Sequence, residues 1–297
     1  MDQEKLSSQP AEALFPVWAT IPLYIIFSFI AIGVLTGILY VIFLFFPESD
    51  SVYRLVITQI INRTAMAFAV WICAWLFFKY LDCRPASELG LSIRGRQKDF
   101  IYGLILAIVL YIVGFGTTLL LDNVSVTSVK PDIFVLVGTL FVFLPAAMME
   151  EIMIRGYVLG RLMSKINKFA ALAISSVLFA IFHLGNPNMG VLPLINLFLA
   201  GLMLGAAFLY TRNLWFPIIL HLFWNWIQGP VLGYEVSGTN MFPTLLTLSF
   251  PESNIINGGS FGFEGSIICT ILTSITTLAI IGWYEMKRVK TEAHQSL

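Results

Sequence analysis

The chain has little charge, few histidines and few cysteines. Its 297 residues carry 17 basic and 17 acidic side chains, three histidines and three cysteines. Charged residues make up 11%, against about 25% in soluble domains, which argues against a soluble fold. A net charge of zero provides no basic field for nucleic acid, so no nucleic-acid partner is expected. Cys73, Cys83 and Cys269 are an odd set without metal-ligand spacing, and no disulfide framework is expected. The His-Glu-x-x-His signature of a local zinc site is missing. So is the inverted repeat of a transporter fold.

What is present is apolar sequence. Hydrophobic residues make up 58% of the chain, and a membrane-spanning helix needs about 20 of them in a row. The first candidate, 17–46, has no short apolar core followed by a small-residue cleavage site, so it reads as an uncleaved helix. The others are 54–80, 100–121, 133–155, 169–184, 190–210, 214–229 and 265–286. The expected fold is therefore all-α: a polytopic membrane protein, a bundle of about eight transmembrane helices with an intramembrane polar cavity. Residues 1–16 read as a flexible polar lead, 17–286 as one membrane domain and 287–297 as a polar cytoplasmic tail. The segment 230–264 is rich in Gly, Pro, Ser and Asn and reads as a long external loop. Gly201 and Gly205 form a small-xxx-small pair, expected to mark close helix contact.

Charge asymmetry sets the expected orientation. Lys79, Arg84, Arg94, Arg96 and Lys98 precede the third helix, and Arg161, Lys165 and Lys168 follow the fourth. Arg212, Lys287, Arg288 and Lys290 fall on the same side if there are eight spans. The opposite side carries Arg54, Lys130 and an acidic loop holding Glu235, Glu252 and Glu264. The positive-inside rule then places both termini in the cytoplasm.

Within the later spans, ionisable side chains are few and grouped. Each costs about 2.5–3.5 kcal/mol at membrane depth on insertion scales, so such residues usually have a function. Glu151 and Arg155 are four apart, share a helix face and neutralise each other. Glu150 points about 100° away, with no intrahelical partner. Phe179 and His183 form a second co-facial pair, and His221 and Asn225 a third. Three helices thus offer a carboxylate, two imidazoles and an amide. That set suits amide hydrolysis, with Glu150 and His183 activating water and His221 and Asn225 donating to the oxyanion. In the alternative, Glu150, His183 and His221 hold zinc with an open position for water. Gln59, Asn62 and Arg63 in the second helix are left over, either near its outer end or lining the same cavity.

At these residues the chain resembles the CPBP family, the CAAX-protease and bacteriocin-processing (self-immunity) intramembrane endopeptidases. The family pattern of Glu-Glu-x-x-x-Arg, Phe-x-x-x-His and His-x-x-x-Asn/Asp appears as Glu150-Glu151…Arg155, Phe179…His183 and His221…Asn225. Leu89-Gly90-Leu91…Arg94 and Glu264-Gly265-Ser266 also look like family features, so the resemblance covers about 85–285. It implies an eight-helix fold, in a bacterial plasma membrane, hydrolysing a peptide or membrane-protein substrate. Glu150 would activate water beside His183, with His221 and Asn225 at the oxyanion, and Glu151, Arg155 and Phe179 would orient the site. No cofactor is expected on this reading, zinc being the alternative. The rival is a non-catalytic immunity, binding or transport protein using the same polar core. Substrate identity, prenyl recognition and oligomeric state are not set by the sequence.

One tension arises from helix rise. With a turn near Asn167, Glu150 and His183 each lie about 16–17 residues, or roughly 24 Å, from that end. His221 lies about eight residues, or roughly 12 Å, from the turn near Asn213. Tilt, or a break at Pro145 or Pro217, is expected to level them.

Overall fold

The computed structural model describes residues 13–47 and 50–295, with side chains as far as residue 291. Most of the expected polar lead, residues 1–12, and the final 296–297 of the expected tail lie outside the described residues. The described residues form eight helices and one small β-ribbon. The helices are α1 (Val17–Phe43), α2 (Val52–Leu76, extended by a π-helical turn, Phe77–Leu81), α3 (Gln97–Leu120), α4 (Ile133–Glu151, continued by Ile152–Leu159 and Gly160–Leu162), α5 (Lys168–Phe182), α6 (Val191–Thr211), α7 (Trp215–Trp226, extended by Ile227–Val231) and α8 (Ile267–Gln295). The expected polar tail is thus a continuation of α8 as far as Gln295.

Six of the helices are long and apolar enough to cross a membrane. The expectation of about eight full spans is corrected in that respect. α5 has 15 residues, and α7 has 12 before its five-residue π turn, both under the roughly 20 that a bilayer core asks for. Local signals start two of the helices. Asp132 caps α4 by accepting from Val135 N at 3.0 Å, and Asn167 caps α5 by accepting from Phe169 N at 2.8 Å.

Cross-links sort the connections into two ends. At one end, Asp82 pairs with Arg161 at 2.7 Å, Arg96 donates to Thr211 O, and Lys168 pairs with Glu285. At the other end, β1 (Ser125–Val129) pairs antiparallel with β2 (Leu246–Ser249). The expected long loop 230–264 is therefore ordered. Asn186 donates to Ser237 O, Asn188 to Ser260 O, and Gly238 N to Phe261 O. Strands of four and five residues whose partners lie more than a hundred positions apart leave no local periodicity to read.

The depth mismatch is resolved by a recessed turn. Neither Pro145 nor Pro217 breaks its helix, Pro217 falling in the first turn of α7. Instead the α6–α7 turn sinks into the bundle: Asn213 and Leu214 are buried, Leu214 N donates to Gly90 O, and Asn213 donates to Ser92 O. The turn packs at the level of Gly156, where an added Cβ would lie 3.2 Å from both Leu214 Cδ1 and Leu89 O. His221 starts from that deeper level, so seven residues carry it to the depth of Glu150. Gly90 makes the cover possible. Its φ of 82° is left-handed, and a Cβ there would meet Arg212 O at 2.7 Å.

α6 is the most enclosed of the spans, with 56% of its apolar window buried against 6% for α1, which makes it the core and α1 a peripheral helix. Gly201 and Gly205 allow this contact, since a Cβ at Gly201 would come within 2.8 Å of Ser176 Cβ on α5. Gly201→Val should therefore wedge α5 from α6 and cost about 1–3 kcal/mol, read as a lower thermal midpoint of the purified protein; an unchanged midpoint would show that this contact is slack.

Candidate active site

The site is built on the buried stretch where α4 turns from α-helical to π-helical geometry. Glu151 ends the regular helix, and residues 152–159 that follow are all buried. Widened turns of this kind recur at functional sites. Glu151 and Arg155 are fully buried and pair at 2.8 Å, Nη1 donating to Oε1. Arg155 also donates through Nη2 to Gly201 O on α6 at 3.1 Å, and its guanidinium lies 4.4 Å from the Phe179 ring centroid on α5. These contacts spread the cation over a carboxylate, a carbonyl and an aromatic face.

The same carboxylate reaches α7. His221 Nδ1 lies 2.9 Å from Glu151 Oε1. A carboxylate only accepts, so Nδ1 carries the hydrogen and Nε2 is turned toward the cavity. His183, at the C-terminal end of α5, is held the same way. Its Nδ1 donates to Phe179 O at 2.8 Å. The Phe179 ring sits 4.7 Å from the His183 ring and 6.2 Å from that of His221. One aromatic thus packs against both imidazoles and the arginine.

Glu150 stands opposite the two free ring nitrogens. Its Oε2 lies 3.8 Å from His183 Nε2 and 3.9 Å from His221 Nε2, too far for a direct hydrogen bond. That oxygen is buried and has no hydrogen-bond partner among the described residues. Its side chain is 27% exposed, toward a cavity of about 370 Å³. Asn225 is half-buried, lines the same cavity, and makes no side-chain hydrogen bond among the described residues. The structure therefore brings all seven expected site residues together: Glu150, Phe179, His183, His221 and Asn225 line the cavity, and Glu151 and Arg155 support them.

A further carboxylate lies in this cavity. Glu264, placed by the sequence in an exposed acidic loop, is buried. Its Oε1 accepts from Trp224 Nε1 at 3.0 Å, and its Oε2 accepts from both Ser237 N and Ser237 Oγ at 2.8 Å. It ties the outer loop to the residue next to Asn225. A signal existed in its neighbours, because Phe261 and Phe263 make that stretch apolar, and both are buried. Tyr234 also lines the cavity. Burial pushes its phenol up to about 12, so at neutral pH it is a hydrogen-bonding group rather than a base. For the zinc alternative, Glu150, His183 and His221 are the donors to test. Among the described residues no three His, Cys, Asp or Glu side chains form a group that holds a metal ion, and no step through a metal follows from them.

A polytopic all-helical bundle with a polar pocket enclosed among its spans defines the class: an integral membrane protein with a buried site. Residues 132–227 match the family described as type II CAAX prenyl endopeptidase Rce1-like. That stretch, roughly a third of the chain, contains all three motifs, and the CPBP resemblance holds over it. The match supports a CAAX-type intramembrane endopeptidase in general terms. No curated protein matches the chain.

The buried pair predicts its own failure mode. Glu151→Gln leaves the Arg155 charge uncompensated and should cost about 3–5 kcal/mol, read as loss of folded protein. The double change Glu151→Gln with Arg155→Met should recover part of that loss, because removing both charges also removes both desolvation penalties.

Proposed function

We propose that the protein is an endopeptidase that cleaves a peptide or membrane-protein substrate with Glu150 as general base. The observation that carries this is the convergence of His183 Nε2 and His221 Nε2 on one buried oxygen of Glu150, at 3.8 and 3.9 Å, in a cavity shared with Asn225. A substrate water bound there gives its proton to Glu150, with His183 accepting from or orienting it, as its oxygen attacks the scissile carbonyl carbon. The carbonyl π electrons move onto oxygen. Asn225 donates one hydrogen bond to that oxyanion from its amide. His221 donates the second from Nε2, which requires the ring to carry both hydrogens; Glu151 and Glu150 flank it with the negative charge that such a ring needs. Collapse of the intermediate expels the amine, which takes the proton back from Glu150, and a carboxyl and an amino terminus result.

Glu151, Arg155 and Phe179 act through the other four, fixing the orientation of the His221 ring through its Nδ1–H and the positions of both rings. We place the end that carries Arg84, Arg96, Lys168 and Arg288, and with it both termini, in the cytoplasm of a bacterial plasma membrane, following the positive-inside rule.

Glu150→Ala should abolish cleavage while the protein stays inserted and monodisperse; retained proteolysis would sink the glutamate assignment. Asn225→Ala should lower kcat by about 10²–10³-fold with KM little changed, the size expected for one oxyanion donor. A chelator should leave the rate of the reconstituted protein unchanged, and a rate restored only by added zinc would support the metal route instead. A folded protein that cleaves no membrane-protein or peptide substrate would favour the non-catalytic reading.

A further inference from the structure

Three polar side chains of α2 remain outside the chemistry above. Gln59, Asn62 and Arg63 are half-buried and make no hydrogen bond or ion pair among the described residues. With Met66 they sit at positions i, i+3, i+4 and i+7, one stripe of the helix. Arg63 is eleven residues into α2, about 17 Å from its start, where an uncompensated cation is costly.

The stripe lines a groove against α1, opposite Thr36, Tyr40 and Phe43. The groove and the cavity around Glu150 share Arg63 and Met66 among their lining residues, so the two are neighbours. Neither acidic side chain of that cavity pairs with Arg63. Glu150 faces the two histidines, and both oxygens of Glu264 are taken by Trp224 and Ser237.

The donor and acceptor balance indicates the ligand. A guanidinium only donates and matches a carboxylate in two parallel hydrogen bonds. The amides of Gln59 and Asn62 both donate and accept, as a peptide backbone does. An extended peptide at membrane depth has lost its intrahelical partners and must find others. A lipid phosphate would satisfy Arg63 but offer nothing for the amide hydrogens' companion carbonyl oxygens.

We propose that the α1–α2 groove is a substrate subsite: Gln59 and Asn62 bind extended peptide backbone, and Arg63 binds a carboxylate of the substrate close to the bond to be cut. This rests on the endopeptidase reading. The carboxylate comes from an acidic side chain or from a chain terminus, and the chemistry at Arg63 is the same for both.

The test is binding, measured on full-length protein carrying Glu150→Gln in nanodiscs, so that its outcome does not depend on turnover. Three fluorescent apolar peptides of one sequence are compared: one with a free C-terminal carboxylate, one amidated, and one amidated with an internal glutamate. At least one carboxylate-bearing peptide should bind about tenfold more tightly than the neutral one, a difference of about 1.4 kcal/mol. Arg63→Gln should remove that preference, and Arg63→Lys should retain part of it, with both variants monodisperse and unchanged in thermal midpoint. Which anionic peptide gains identifies the source of the carboxylate. Equal affinity for all three peptides, or a preference that survives Arg63→Gln, would overturn the proposal. So would a dependence on anionic lipid that Arg63→Gln abolishes without any discrimination among peptides. Failure of the Glu150 assignment would appear separately, as cleavage retained by Glu150→Ala.

Discussion

The architecture of this protein depends on one buried ion pair. Glu151 and Arg155 lie on α4 with no exposure to solvent, and their remaining partners come from three other helices: Gly201 O on α6, the Phe179 ring on α5 and His221 Nδ1 on α7. Burying two charges costs several kcal/mol per ion, and their mutual attraction offsets this only when the geometry is good and other groups complete it. That demand couples the four helices. A shift of any one of them strands a charge, so the position of His221 follows from electrostatic satisfaction as much as from packing.

The second constraint is depth. In a bilayer every polar group must be satisfied inside the protein, so a site at membrane depth needs polar groups from several helices at one level. Here the level is reached by shortening elements rather than kinking them. α5 and α7 fall short of a full span, and the α6–α7 turn is recessed and covered by the segment around Leu89–Ser92. The ordered outer loop closes the opposite end, with Glu264 holding Ser237 against Trp224 beside Asn225. The polar groups of the site thus stand on helices, and one wall of its cavity stands on a pinned loop.

Much of this was legible in advance, and the parts that were not have physical reasons. Apolar run length located all eight helices to within a few residues at most ends, because lipid exposure forces hydrophobicity on every side of a span. Glu151–Arg155, Phe179–His183 and His221–Asn225 were readable as pairs, because helical spacing places residues four apart on one face. The pairing of β1 with β2 and the burial of Glu264 were not readable. Both depend on partners distant in sequence, and the composition of 230–264 resembles that of a free loop. The depth of His221 was also misjudged, since counting residues from a turn assumes that the turn lies at the membrane surface.

By itself, then, the sequence determined that the chain is a membrane bundle and that a carboxylate, two imidazoles and an amide lie on particular helix faces, since both follow from local period and from the cost of polarity in lipid. Only the tertiary structure decided that these faces meet at one depth, which nitrogen of each histidine is free, and which loop carboxylate joins them. Those are matters of relative helix height and of contacts between residues far apart in the chain, and neither length nor periodicity encodes them.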